Sequence, residues 1–166
     1  KLGDAAILKE LIKILSENKI KVIRSNFFNP ELTLSRGVIT KIKPNKDDLK
    51  NIKIGIKSLS KLNAHNHVQG LVVRNNIIIK KENLKGTKKM LLSLNKSKNK
   101  NGILIKFPKK KQDLRADLPT IGFDTIRDCK KANLKGIVLK SKQNIFMDKK
   151  KSVTFANQNK IFISII

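Results

Sequence analysis

The densest run of side chains able to do chemistry reads Lys106-Phe107-Pro108-Lys109-Lys110-Lys111-Gln112-Asp113-Leu114-Arg115-Ala116-Asp117-Leu118-Pro119-Thr120-Ile121-Gly122. Two carboxylates, Asp113 and Asp117, lie here with Gln112, Arg115 and Thr120 in a connection from an expected strand to an expected helix, where a rigid scaffold commonly holds binding residues. Two nearby carboxylates can share a divalent cation or set an acid beside a base. The adjacent cations would offset phosphate charge. The same spacing also suits a plainer arrangement, with Asp113 paired to a neighbouring Lys and Asp117 capping a turn before Pro119.

Gly86-Thr87 at an expected helix start is a second candidate, since exposed amides and the helix dipole attract phosphate oxygens. A plain helix cap is the simpler reading, and the chain has neither a Walker loop nor a dinucleotide fingerprint. His65 and His67 alternate as metal ligands on a strand would, but no third ligand stands near them and they read as loop histidines. Cys129, the one cysteine, rules out an internal disulfide framework and reads as filler within a helix.

These residues sit in a chain of 166 residues and formal charge +26, with 38 Lys plus Arg against 12 Asp plus Glu. Its apolar fraction of 39%, largely Ile, Leu and Val, suffices for a packed core, so global disorder is not expected. The charge attracts phosphates, nucleic acid and anionic lipid without choosing among them. The excess is mostly Lys, which lacks the bidentate fork of Arg, and Trp and Tyr are absent, which weakens a base-stacking platform. No apolar run approaches the roughly 20 residues that span a bilayer, and no signal peptide is evident, so the cytoplasm is expected. The chain opens on Lys1 and not on Met, so an upstream segment or domain is expected.

Apolar spacing predicts an amphipathic helix from Asp4 to near Asn18, followed by a short strand Lys21-Val22-Ile23. Residues 34–55 lose a clear period and read as a domain connection, with Asn45-Lys46-Asp47-Asp48 as polar punctuation and a helix from Ile52 to Leu62. Gly70–Val73 and Ile77–Ile79 flank Arg74-Asn75-Asn76 as a hairpin. A helix over Lys88–Leu94, strands at Ile103–Phe107 and Gly136–Leu139, and a helix from Asp124 to Ala132 closed by Asn133 follow. The chain ends on Ile145-Phe146-Met147, a short helical or turn segment near Val153–Ala156 and a strand at Ile161–Ile163.

Taken together, these segments resemble the UDP-2,3-diacylglucosamine hydrolase family of bacterial lipid A synthesis over nearly the whole chain. Its members carry an Asp-x-Gly-Gln segment, a Glu-x-x-Glu-Gly-Thr-Asp segment and the string Lys-Pro-x-Gln-Asp-x-Arg-x-Asp-Leu-Pro-Thr-Ile-Gly. The third and most specific is kept here as Gln112, Asp113, Arg115, Asp117, Leu118, Pro119, Thr120, Ile121 and Gly122, with Lys110 in place of the proline. The second is kept as Glu82, Gly86 and Thr87, with Lys85 and Lys88 in place of acids. Of the first, Gln69 remains while Asn66 and Val68 replace the Asp and Gly.

The resemblance implies an α/β fold, with a mixed-sheet catalytic domain over residues 51–166 preceded by a truncated Rossmann-like domain and connection over residues 1–50. It implies attack of water on the α-phosphorus of UDP-2,3-diacylglucosamine, releasing UMP and 2,3-diacylglucosamine 1-phosphate (lipid X), with Mg²⁺ or Mn²⁺ as cofactor. On that basis Asp117 and Asp113 are the expected catalytic residues, as metal ligand or water-orienting base. Asp113, Asp117 and Glu82 are the expected metal ligands. Gln69, Gly86, Thr87, Lys106, Gln112, Arg115 and Thr120 are the expected substrate contacts.

The implied partners are a nucleotide-linked acylated sugar and the inner-membrane surface, where the protein would be peripheral and cytoplasmic, with a homodimer possible and no specific nucleic acid. Two other readings compete. In one, a non-catalytic basic module binds nucleic acid or anionic membrane through its charge; in the other, the chain is a diverged, inactive homologue.

Overall fold

The computed structural model describes residues 4–62, 68–110 and 112–166. In chain order, helix α1 (Asp4–Glu17) and a 3₁₀ turn (Pro30–Leu32) precede strand β1 (Gly37–Val38) and helix α2 (Lys46–Leu62). A hairpin of β2 (Gly70–Arg74) and β3 (Ile77–Lys81) follows, then α3 (Gly86–Leu92), β4 (Ile103–Lys106) and β5 (Thr120–Ile121). The remainder is α4 (Phe123–Lys131), β6 (Gly136–Leu139), β7 (Ile145–Phe146), α5 (Lys149–Gln158) and β8 (Phe162–Ile165). Six strands form one mixed sheet in the order β1-β8-β6-β4-β2-β3, and β5 and β7 form a small parallel pair beside it. The expected α/β class with a mixed sheet is therefore what the chain adopts.

The central strands β4, β6 and β8 run parallel, which requires helical crossovers, and α4 and α5 supply them. Crossover helices cover one face of such a sheet, and here the other face is covered as well. Leu71, Val73, Ile103, Ile105, Val138 and Phe162 point to the face packed by α2. The alternate residues Val72, Leu104, Ile137 and Ile163 point to the face packed by α3, α4 and α5. Burial on both faces is why these strands read as unbroken apolar runs and not as alternating ones.

Several boundaries follow side-chain chemistry. Asn75 and Asn76 both take positive φ, 51° and 63°, the backbone that a two-residue hairpin turn of matching twist demands. Asn133, at φ 56°, closes α4 as expected. The Asn45–Asp48 stretch, read as a polar connection, is instead a reciprocal cap: Asn45 N–H donates to Asp48 Oδ2 at 2.9 Å and Asp48 N–H to Asn45 Oδ1 at 2.9 Å. It starts α2 six residues earlier than the apolar period alone suggests, at Lys46 rather than Ile52. A boundary at residue 50 would therefore cut a continuous helix. Residues 37–38 also belong to the main sheet, with Gly37 opposite Ile165 and Val38 opposite Ser164.

One other expectation changes, and the helical alternative for Val153–Ala156 holds. Lys21-Val22-Ile23 forms no strand and joins no ladder among the described residues; just past it, Ser25 N–H donates to Arg115 O at 3.1 Å, a single contact to the loop between β4 and β5. Around Val153–Ala156 the chain forms a ten-residue helix, its apolar Val153, Phe155 and Ala156 packing on the core. The described residues ahead of β1 contain one α-helix and a 3₁₀ turn, and a preceding Rossmann-like domain is not shown by them. No helix is long and apolar enough to cross a membrane among the described residues.

Gly136 permits the closest packing in the sheet: a Cβ there would run into the Phe162 ring on the neighbouring strand. Gly136→Ala is expected to destabilise the protein by about 1–3 kcal/mol through overpacking, read as a lowered denaturant midpoint at unchanged slope.

Candidate active site

Two clusters meet at the end of β4, and both draw on residues far apart in the chain. The first is buried. Lys106, the last residue of β4, and Glu82, just past β3, have side chains 8% and 7% exposed, with Lys106 Nζ 3.5 Å from Glu82 Oε1. Thr87 of α3 bridges them: its hydroxyl donates to Glu82 Oε1 at 2.8 Å and accepts from Lys106 Nζ. The β2–β3 pairing carries Glu82 into place, with Glu82 N–H donating to Gly70 O at 2.8 Å. Gly70 leaves room for this carboxylate, since a Cβ there would stand 2.7 Å from Glu82 Oε2 and displace it. That oxygen is buried without a hydrogen-bond partner among the described residues.

The second cluster fixes the loop after β4. Phe107 N–H donates to Gln69 O at 2.8 Å, and Gln69 Nε2 donates to Gln112 Oε1 at 2.9 Å. The same Gln112 oxygen accepts Lys109 N–H at 2.8 Å, which curls the chain back. Asp117 N–H then donates to Asp113 O at 2.9 Å in one helical turn. Arg115 forks onto Asp113, with Nη2 2.7 Å from Oδ2 and Nε 3.0 Å from Oδ1, while Arg115 N–H donates to Oδ1 at 2.9 Å. These hydrogen bonds from Arg115 hold the Asp113 carboxyl below the usual carboxylate range and push the guanidinium up. Asp113 thus pairs with an Arg two residues on, where the plainer reading had a neighbouring Lys.

This loop walls an open cavity of about 490 Å³ whose far side is Leu8 and Lys9 of α1 and Arg24. Lys9, Arg24, Lys110 and Arg115 bring four cations to it, and Asp113 and Asp117 bring two carboxylates. The Asp117 side chain has no hydrogen bond or ion pair among the described residues. It stands half-buried in a cationic cavity with both oxygens available. Such a group can take a proton from a water, or bind a cation that also binds phosphate oxygens.

The expected site residues therefore divide. Asp113, Arg115, Asp117 and Gln112 line the cavity, and Gln69 holds Gln112 from behind. Lys106, Glu82 and Thr87 pair with one another away from that cavity, so neither the Lys106 ammonium nor the Thr87 hydroxyl is presented to it. Gly86, at φ 78°, makes the left-handed turn into α3. Thr120 is exposed, and its hydroxyl donates to Leu118 O at 3.3 Å. No three His, Cys, Asp or Glu side chains converge as a metal site among the described residues, and Glu82 lies apart from the cavity that holds Asp113 and Asp117. What these residues fit is a cation held by one or two carboxylates and completed by substrate oxygens, the usual mode for Mg²⁺.

Lys85 and Lys88, which stand where acids are expected, are both exposed and leave the buried cluster intact. Asn66, His65 and His67 lie outside the described residues. Cys129 is buried in α4, where burial and the nearby Asp128 carboxylate push its thiol far up, so it is core. Sequence reasoning missed Lys9 and Arg24, which carry no local signal and reach the cavity only through the fold. It also missed Asn144, 2% exposed, whose amide donates to Lys106 O at 3.2 Å and Pro119 O at 3.4 Å while its oxygen accepts Lys140 N–H. One side chain thus clamps the start and end of the loop.

The description "LpxI C-terminal domain" belongs to a family model that matches residues 35–164, which takes in the whole sheet except its last residue and every cavity residue except those ahead of β1. The UDP-2,3-diacylglucosamine pyrophosphatase LpxI of Caulobacter vibrioides (strain ATCC 19089 / CIP 103742 / CB 15) is 26% identical over 169 residues, covering 97% of this chain. The chain spans 60% of that protein's length.

Because Asp113 is more acidic folded than unfolded, its stabilising contribution is full above about pH 4 and is lost as pH falls through its lowered value. In Arg115→Ala the Asp113 carboxyl is expected to titrate higher than in the wild type, though still below the ordinary range because the backbone N–H of residue 115 continues to donate to Oδ1, read by NMR of the side-chain carbonyl. Glu82→Gln leaves the buried Lys106 ammonium without its counter-charge and is expected to cost about 3–5 kcal/mol in denaturant unfolding.

Proposed function

The chain belongs to the LpxI C-terminal domain family, and from that premise we propose that it hydrolyses the pyrophosphate of UDP-2,3-diacylglucosamine, releasing UMP and 2,3-diacylglucosamine 1-phosphate. The observation that carries this reading is the carboxylate of Asp117, without a partner among the described residues, inside a cavity lined by Lys9, Arg24, Lys110 and Arg115. A pyrophosphate brings concentrated negative charge, and the four cations lining this cavity suit it. Asp117 orients the attacking water and accepts its proton. Arg115, held in one orientation by Asp113, stabilises the charge that develops on the phosphoryl oxygens. Lys110 and Arg24 hold the remaining phosphate oxygens.

Asp117, with Asp113 beside it in the turn, would hold Mg²⁺ or Mn²⁺ together with the substrate's own oxygens, and the cation when bound supplies further neutralisation of the phosphoryl group. Because the substrate is acylated, the protein works against the cytoplasmic face of the inner membrane, where each Lys near an anionic surface adds roughly 1 kcal/mol of attraction.

UMP release from UDP-2,3-diacylglucosamine is the direct test. Asp117→Ala and Asp117→Asn are each expected to lower kcat by about two to four orders of magnitude while the unfolding transition stays in place. Turnover that survives in both variants would sink the assignment of Asp117. No UMP from the folded wild-type protein in either Mg²⁺ or Mn²⁺ would sink the hydrolase reading, leaving the +26 charge as the feature to explain.

A further inference from the structure

The outer face of α4 and α5 does not line the Asp117 cavity, yet it begins where the active loop ends. That loop runs from Asp117 into β5, and the β7 segment is fastened alongside: Ile145 N–H donates to Pro119 O at 3.1 Å and Met147 N–H to Ile121 O at 2.7 Å. Met147 is 45% exposed and stands beside Gly122, the residue ahead of α4. Phe123 then opens α4 and packs edge-on against Phe155 of α5, with ring centroids 5.2 Å apart and both rings partly exposed. Lys151 holds its ammonium 4.2 Å from the centroid of Phe123, and Lys130 holds its own 5.9 Å from that of Phe155. An apolar strip is thus bordered by cations.

The charge on this face is out of balance. Helix α5 opens on Lys149, Lys150 and Lys151, all exposed, with no acid in its first turn. The amino end of a helix attracts anions and repels cations, so three lysines there work against the helix dipole. Acids on the face do not offset them: Asp124 is held by Arg127 at 2.9 Å, Asp128 is buried, and Asp148 is one carboxylate beside three ammonium groups. An anionic partner relieves this arrangement. A nucleic-acid strand stacks its bases on open aromatic faces, but here lysines lie over the rings. A second copy of the chain would set like charge against like. An anionic bilayer answers both features, with phosphates for the ammonium groups and hydrocarbon below them for Met147 and the rings.

Resting on the hydrolase reading above, which makes the substrate an acylated lipid, we propose that this face docks on an anionic lipid bilayer. Met147 and Phe123 enter the headgroup boundary, and Lys130 and Lys149 to Lys151 meet lipid phosphates. Because β5 and β7 pair directly after the active loop, docking holds that loop close to the surface from which the substrate comes.

Vesicles of phosphatidylglycerol and phosphatidylcholine in equal parts are the probe. Co-sedimentation at about 0.15 M salt, where diffuse attraction is screened, compares the wild type with three variants. One is Lys149→Ala/Lys150→Ala/Lys151→Ala, in which alanine suits the helix. The second is Met147→Gln. The third, Lys53→Ala/Lys57→Ala/Lys61→Ala, removes the same charge from exposed positions of α2, which packs on the other face of the sheet. With each lysine at an anionic surface contributing about a factor of five, the α5 triple variant is expected to bind about a hundredfold more weakly. Met147→Gln is expected to lose about three- to tenfold, and the α2 triple variant to stay within about twofold of the wild type.

Equal weakening in the two triple variants would mean that net charge alone draws the protein to lipid, and would overturn the proposal. Wild-type binding by the α5 triple variant would overturn it as well. A single-stranded oligonucleotide held by the wild type and lost by the α5 variant, with vesicles bound by neither, would assign the face to nucleic acid instead. UMP release from detergent-dispersed substrate, followed in parallel, reports on the hydrolase reading alone and is expected unchanged in the α5 triple variant and in Met147→Gln. Its absence from the wild type would overturn that reading, while the vesicle comparison still decides the docking face.

Discussion

A buried Lys106 ammonium beside a buried Glu82 carboxylate sets the terms for everything around it, because neither charge can stay inside without the other. Glu82 reaches its place only because β3 folds back on β2, and Lys106 only because β4 pairs with the other edge of β2. Thr87 closes the cluster from α3, and Gly70 leaves room for the second carboxylate oxygen. Four elements are thus held at one point. The next residues, Phe107 onward, leave that point in a direction fixed by Gln69 and turned back by Gln112. The loop that carries Asp113, Arg115 and Asp117 inherits its position from a pair that does not itself line the cavity.

Within the loop, charge is divided between the two carboxylates. Asp113 uses its oxygens to hold Arg115, which orients that guanidinium and lowers the pKa of the carboxyl. Asp117, four residues on and held by Asp113 O through its own backbone N–H, has side-chain oxygens without a partner among the described residues. A pair of acids that look equivalent in the primary structure thus become an orienting group and an available base, because one sits opposite a fork and the other does not. The cations around them come from the loop itself and from the segment ahead of β1. The exposed Lys85 and Lys88 add to the basic surface without entering either cluster.

How far this was legible depends on whether the signal was local. The Asn75-Asn76 turn and the Asn133 helix end were readable because positive φ is a property of single residues, and Asn tolerates it. The apolar runs of β2, β4 and β6 were readable because strands buried on both faces have little choice of side chain. The Asn45–Asp48 cap was missed because Asn and Asp favour loops and helix starts alike, and only the returned hydrogen bonds tell which. Lys21–Ile23 has the composition of a strand, but a strand is a relation between two segments and it pairs with none among the described residues.

The sequence by itself determined the family, the α/β class and the run from Gln112 to Gly122 as the place to look, since each rests on residue identity and short spacing. Tertiary structure alone decided the roles. It turned Lys106, Glu82 and Thr87 inward, brought Lys9 and Arg24 to face Asp117, and made Asn144 the clamp across the loop. The reason is physical: whether a charged side chain meets phosphate or only another side chain depends on which distant segments exclude water from it. Those distances are set by sheet register and helix packing, which no local pattern encodes.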